Sequence, residues 1–182
     1  MTGGIAARLE ELGLSLPDVA APVAAYVPAV WHGDLVWTSG QLPIVDGELV
    51  ATGLVADPAL VPAAGSAAAG PAGSGARAGS GVAPELVSPD RAAELARICA
   101  LNALAAVRSV IGDLDRLERV VKLVGFVASH PTFTGQPRVV DGASRLLGEV
   151  LGDAGRHARS AVGVAVLPLN SPVEIELVAA VR

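Results

Sequence analysis

Ile5, Leu9 and Leu12 fall three or four residues apart and the run stops at Gly13, which predicts a short amphipathic opening helix. The spacing does not say what it packs on. From Tyr26 to Trp31 and from Leu35 to Ser39 the residues are aromatic and β-branched, and His32-Gly33-Asp34 between them predicts a hairpin. A second hairpin is expected where Ile44-Val45 and Leu49-Val50 flank Asp46-Gly47, a dipeptide that accepts the positive φ of a tight turn. Ser88 is a candidate N-cap with Pro89 at the first helical position. Leu95, Ile98, Leu101, Leu104, Val107 and Ile111 then repeat at helical spacing until Gly112. Val120 to Ala128 is a Val-rich run with a lone Lys122, expected to be a strand buried largely on both faces. A helix from Pro137 to Leu151 would turn Val139, Ala143, Leu146, Leu147 and Val150 to one side and end at Gly152. Val162, Val164 and Val166 alternate with small residues, Leu169-Asn170-Ser171-Pro172 turns the chain, and Val173, Ile175 and Leu177 alternate with Glu174 and Glu176.

Helical crossovers mixed with strand pairs joined by short turns predict an α+β layer of sheet and two helices, and disfavour a doubly wound parallel sheet. At 182 residues and 52% hydrophobic, residues 1–182 fit a single domain with a sizeable core, and 3% aromatics make that core aliphatic. Residues 63–81 contain only Ala, Gly, Ser and Pro apart from Arg77, too little to bury against the entropy of ordering, so they are expected to be a flexible insertion. Gly73-Ser74-Gly75 within them lacks the glycine spacing and leading strand of a nucleotide loop.

A net charge of −5 gives no basic footprint for nucleic acid, and no leader or long uncharged apolar run is evident, so the expectation is a soluble, cytoplasmic protein with neither nucleic-acid nor membrane partners. Cys99 is alone and reads as a buried small hydrophobe. The three histidines sit on separate segments without ligand-spaced Cys, Asp or Glu, so no metal site is expected. Ser39 has no nucleophile-elbow sequence around it and reads, on its own, as a polar strand end. Arg159, Glu174 and Glu176 on the closing strands read as solvent-facing charges on an exposed sheet face, and Arg156 and His157 as solvated loop residues.

Three ordered motifs add to this reading. Tyr26 through Trp37-Thr38-Ser39-Gly40-Gln41, then Arg97 to Ala106 with Gly112-Asp113-Leu114-Asp115-Arg116, then Ala158-Arg159-Ser160, Ala165-Val166-Leu167-Pro168 and Val173-Glu174-Ile175-Glu176 together resemble the reactive intermediate deaminase (RidA, or YjgF) family, in a divergent branch. The resemblance covers roughly residues 20–56 and 86–182, leaving out the opening helix and the Ala/Gly insertion. It implies a chorismate-mutase-like, YjgF-like mixed sheet packed on two helices, assembled as a homotrimer with pockets between subunits. It also implies hydrolysis of enamine or imine acids of the 2-aminoacrylate type to 2-oxo acids and ammonia, as in 2-iminobutanoate/2-iminopropanoate deaminases, without a cofactor. On the matching positions, Arg159 would pair with the substrate carboxylate, Glu174 would hold or deprotonate the attacking water, and Tyr26, Ser39 and Gly40 would line the pocket. Two positions depart from the pattern: Ala161 stands where a cysteine is common and Asp141 approximately where an asparagine is common. An Asp facing inward would weaken carboxylate binding. The alternative is a non-catalytic trimer that binds a small carboxylate metabolite or regulates a partner enzyme. A ribonuclease role conflicts with the acidic balance and the scarcity of base-stacking aromatics.

Overall fold

The computed structural model describes residues 4–19, 25–57, 59 and 85–182. The insertion expected at 63–81 lies outside them. In chain order the elements are α1 (Ile5–Glu11), β1 (Ala29–His32), β2 (Leu35–Thr38), β3 (Ile44–Val45), β4 (Glu48–Leu49), β5 (Leu54–Val55), β6 (Leu86–Val87), α2 (Pro89–Ile111), β7 (Leu117–Ala128), α3 (Gln136–Leu151), β8 (Ala158–Val164) and β9 (Val173–Val181).

Local chemistry sets most of these boundaries. The Ser88 hydroxyl accepts from the Arg91 N–H at 3.2 Å, capping α2, and Gly112 leaves the helix at φ 81°. Asp46 and Gly47 both have positive φ, as a two-residue hairpin turn demands. β1 starts at Ala29, later than the expected Tyr26, because among the described residues it pairs with the four-residue β2 alone.

The main sheet has the order β1-β2-β9-β7-β8. β9 is antiparallel to both β2 and β7, whereas β8 runs parallel to β7. The sheet is therefore mixed and the fold is α+β. The last two strands are not hairpin neighbours, as their short connection suggested. β7 lies between them, since its twelve residues are long enough to pair along both edges and α3 supplies the crossover that a parallel β8 requires.

Both long helices cover one face of the sheet. Val173, Ile175, Leu177, Ala179 and Val181 are buried there against Ala96, Cys99, Ala100, Ala103 and Val107 of α2 and Val139, Val140, Ala143 and Leu147 of α3. The small residues let the two helices approach closely: a Cβ placed on Gly142 of α3 would lie 1.9 Å from the Ala93 carbonyl oxygen of α2. Since a helix backbone cannot swing aside as a side-chain tip can, Gly142→Ala is expected to cost about 1–3 kcal/mol. A thermal melt should then fall by about 2–4 °C per kcal/mol.

The opposite face of the sheet has no layer over it among the described residues. β7 is buried toward the helices, but Lys122, Val124 and Phe126 on its other side are only half-buried, a departure from the two-sided burial that its Val-rich sequence suggests. Trp37, Val30 and Val162 on the same face are 54%, 51% and 43% exposed.

Candidate functional site

The exit of β2 builds the first half of the site. Gln41 exchanges backbone hydrogen bonds with Ile175 at 2.8 and 3.0 Å, so the chain from Ser39 to Gln41 runs directly beside β9. Asn102 of α2 anchors the following turn, its Nδ2 donating to the carbonyls of Leu42 and Ile44. The Ser39 hydroxyl donates to the Val27 carbonyl at 2.7 Å, which ties in the segment carrying the exposed Tyr26. Gly40 lies against the Glu174 side chain, where an added Cβ would fall 1.6 Å from Oε1. Absence of a side chain at residue 40 is what makes room for this carboxylate. Tyr26, Ser39, Gly40 and Glu174 thus gather at one end of β2 and β9.

Alternation along β9 sends Glu174 and Glu176 to the uncovered face, where they are half-buried. Burial raises the pKa of the Glu174 carboxyl from its ordinary value, and the Glu176 charge adds to the effect. Burial alone raises Glu176. A carboxylate with raised proton affinity beside an open backbone notch is suited to take a proton from water.

Arg159 occupies a different place. It pairs with Leu123, and Glu174 pairs with Phe126 three residues further along β7 with no irregularity between, so the two side chains leave opposite faces of the sheet. Arg159 is not an exposed-face charge as its strand pattern alone suggested: it is directed at α3. Its Nη1 donates to Asp141 Oδ1 at 2.6 Å and to the Ser144 hydroxyl at 3.1 Å. The pair is half-exposed, with 26% of the Arg159 side chain and 40% of the Asp141 side chain reaching solvent.

His157 also belongs to this cluster, in place of the solvated position read from its loop. Its Nδ1 lies 2.6 Å from the Gly155 carbonyl and its Nε2 lies 3.0 Å from the Ser144 hydroxyl. A carbonyl can only accept, so Nδ1 carries the proton and Ser144 donates to Nε2. Burial lowers the His157 pKa and favours this neutral form; the Gly155 carbonyl opposes the shift and Arg159 adds to it. Arg156 is exposed, as expected. The signal for the cluster was Asp141 and Ser144 at i and i+3 on the helix face bordering the apolar stripe, a pattern that becomes meaningful only once β8 lies under α3.

Among the described residues no group of three His, Cys, Asp or Glu side chains is gathered as for a metal ion, and no helix is long and apolar enough to cross a membrane. A groove of about 340 Å³ between α1 and the end of α2 contains none of the residues above.

The fold agrees with known proteins. A family model described as YjgF/chorismate mutase-like, putative endoribonuclease matches residues 72–181. The chain belongs to this YjgF family. It is 40% identical over 176 residues to protein TCP17 of Trypanosoma cruzi, covering 96% of this chain and 92% of that protein. The crystal structure of Atu1372 from Agrobacterium tumefaciens, a protein of unknown function, is 40% identical with a TM-score of 0.76, covering 98% of this chain and 92% of that one. A putative endoribonuclease from Shewanella oneidensis MR-1 is 30% identical with a TM-score of 0.78, covering 98% and 100%. The stretch matched by the YjgF model carries α2, β7, α3, β8 and β9, and so both Arg159 and Glu174.

Proposed function

We propose that this YjgF-family protein hydrolyses imine or enamine forms of small 2-amino acids to 2-oxo acids and ammonia, in pockets shared between subunits of a homotrimer. The observation that carries the reading is the pair of half-sites: Arg159 with an unused guanidinium edge on one face of the sheet, and Glu174 with a raised pKa beside Gly40 on the other. In one chain they are set apart. Arg159 sits on β8, the edge strand of the sheet, so an assembly in which that edge of one subunit meets the uncovered face of the next would bring the Arg159 edge to the Glu174 notch.

The chemistry asks little more of the protein. Arg159 holds the substrate carboxylate through two parallel charge-assisted hydrogen bonds. Glu174 accepts a proton from water as the water oxygen bonds to the iminium carbon, giving a carbinolamine. Glu174 returns that proton to the nitrogen, then takes the hydroxyl proton as the carbonyl forms and the C–N bond breaks to release ammonia, and finally gives this proton up to solvent. No step uses a cofactor. The alternative, a non-catalytic trimer that binds a small carboxylate metabolite or regulates a partner enzyme, draws on the two departures from the family pattern, Ala161 and Asp141, since the Asp141 charge already occupies one side of Arg159. A ribonuclease reading, suggested by the descriptions of relatives, is not favoured by the chain's net charge of −5 and 3% aromatics.

The test couples the purified protein to a serine or threonine dehydratase and follows 2-oxo acid formation. Acceleration over the buffer-limited rate is expected. Carboxylate binding without acceleration would support the non-catalytic trimer instead. Assembly is tested separately: exposed Trp37, Val30 and Val162 on one sheet face predict a trimer mass in light scattering at micromolar concentration, and a stable monomer would contradict it.

A further inference from the structure

We infer that Asp141 makes the Arg159 site selective for small acids bearing a cationic nitrogen beside the carboxylate, over the corresponding hydroxy and oxo acids. The inference rests on the carboxylate-binding reading of Arg159 and names the charge type that the site accepts.

The guanidinium is held from one side. Both of its hydrogen bonds leave from Nη1, one to Asp141 Oδ1 and one to the Ser144 hydroxyl. Among the described residues Nε and Nη2 make no hydrogen bond, and their N–H groups point in parallel along the remaining edge. That edge fits one carboxylate in the two-pronged geometry. Ser144 is itself fixed, because its proton goes to His157 Nε2 and His157 is held by the Gly155 carbonyl. The guanidinium therefore presents a fixed free edge to a ligand while its other side stays occupied.

The charge balance then decides what binds. Arg159 and Asp141 cancel at 2.6 Å, and His157 is neutral, so the cluster offers a fork of donors without net positive charge. A ligand carrying only a carboxylate brings an uncompensated anion near Asp141. One with an ammonium or iminium on the adjacent carbon brings its own counter-charge, and Asp141 Oδ2, which accepts no hydrogen bond among the described residues, is available to face it. The discrimination has a consequence for turnover: the iminium substrate is a zwitterion and the 2-oxo product is an anion, so the same carboxylate that favours substrate disfavours product.

Calorimetric titration of the wild-type protein with L-alanine and L-lactate isolates this effect, since the two differ by an ammonium in place of a hydroxyl. Alanine is expected to bind more tightly by at least about tenfold, a modest effect for one unit charge at a few ångströms near a protein surface. Asp141→Asn keeps the shape and one acceptor oxygen, and should bring the two dissociation constants to within about threefold by tightening lactate and weakening alanine. Equal affinities in the wild type, or a preference that survives Asp141→Asn, would overturn the inference while leaving the carboxylate site intact. No binding of either acid to the wild type would instead remove the Arg159 reading on which it rests.

Discussion

Replacing Glu174 with Gln is expected to slow imine hydrolysis by about 10²- to 10⁴-fold while leaving carboxylate binding in place, because the amide keeps the side-chain shape but cannot take a proton from water. The pH profile carries a second signature. The folded-state pKa of Glu174 is raised by burial and by Glu176, so the group becomes protonated, and inactive as a base, above the pH at which an ordinary carboxylate would. The acid limb of the rate should therefore lie higher than an unperturbed carboxylate would place it and vanish in Glu174→Gln. Stability runs the other way. A carboxyl whose pKa is raised on folding contributes stability below its unfolded pKa and loses it as pH rises through the folded value, so Glu174→Gln should melt no lower than wild type at neutral pH. A variant with wild-type turnover would remove Glu174 from the chemistry.

Arg159→Lys is the second large effect expected. Lysine retains the charge and loses the planar fork, and the cost should be roughly 1.5–3 kcal/mol in carboxylate binding or transition-state stabilisation. That is roughly a tenfold to 150-fold loss. The fold should hardly register the change, since the half-exposed ion pair with Asp141 belongs to a class worth about 0–1 kcal/mol. Titration with 2-oxobutanoate or pyruvate, beside imine hydrolysis rates, measures both. Unchanged binding and rate in Arg159→Lys would reduce Arg159 to a structural ion-pair partner of α3.

Much of this molecule is legible along the chain because its signals are local. Ser88-Pro89, Gly112 and Asp46-Gly47 announce their elements through capping and turn chemistry, and the alternation from Val173 to Leu177 places Glu174 and Glu176 on one face. Features that depend on partner choice were not legible. The parallel pairing of β5 with β6 joins strands of two residues each, too short to show a period. The position of β7 between β8 and β9 follows from strand lengths and a helical crossover, and it is this order that turns Arg159 toward α3 and away from the face that Glu174 shares. His157 looked like a loop residue because its partner, Ser144, is thirteen residues earlier on a different element. Arg159 and Glu174 were thus nameable along the chain, but their separation on opposite faces required the sheet.

That separation makes subunit mixing the most direct measurement. Arg159→Ala and Glu174→Gln subunits, each expected to be inactive alone, are unfolded together, reassembled at equal ratio and assayed for imine hydrolysis. If each pocket takes Arg159 from one subunit and Glu174 from its neighbour, random assembly restores about one pocket in four, and about a quarter of the wild-type rate should return. A mixture of confirmed mixed trimers as inactive as its two components would contradict a pocket shared between subunits.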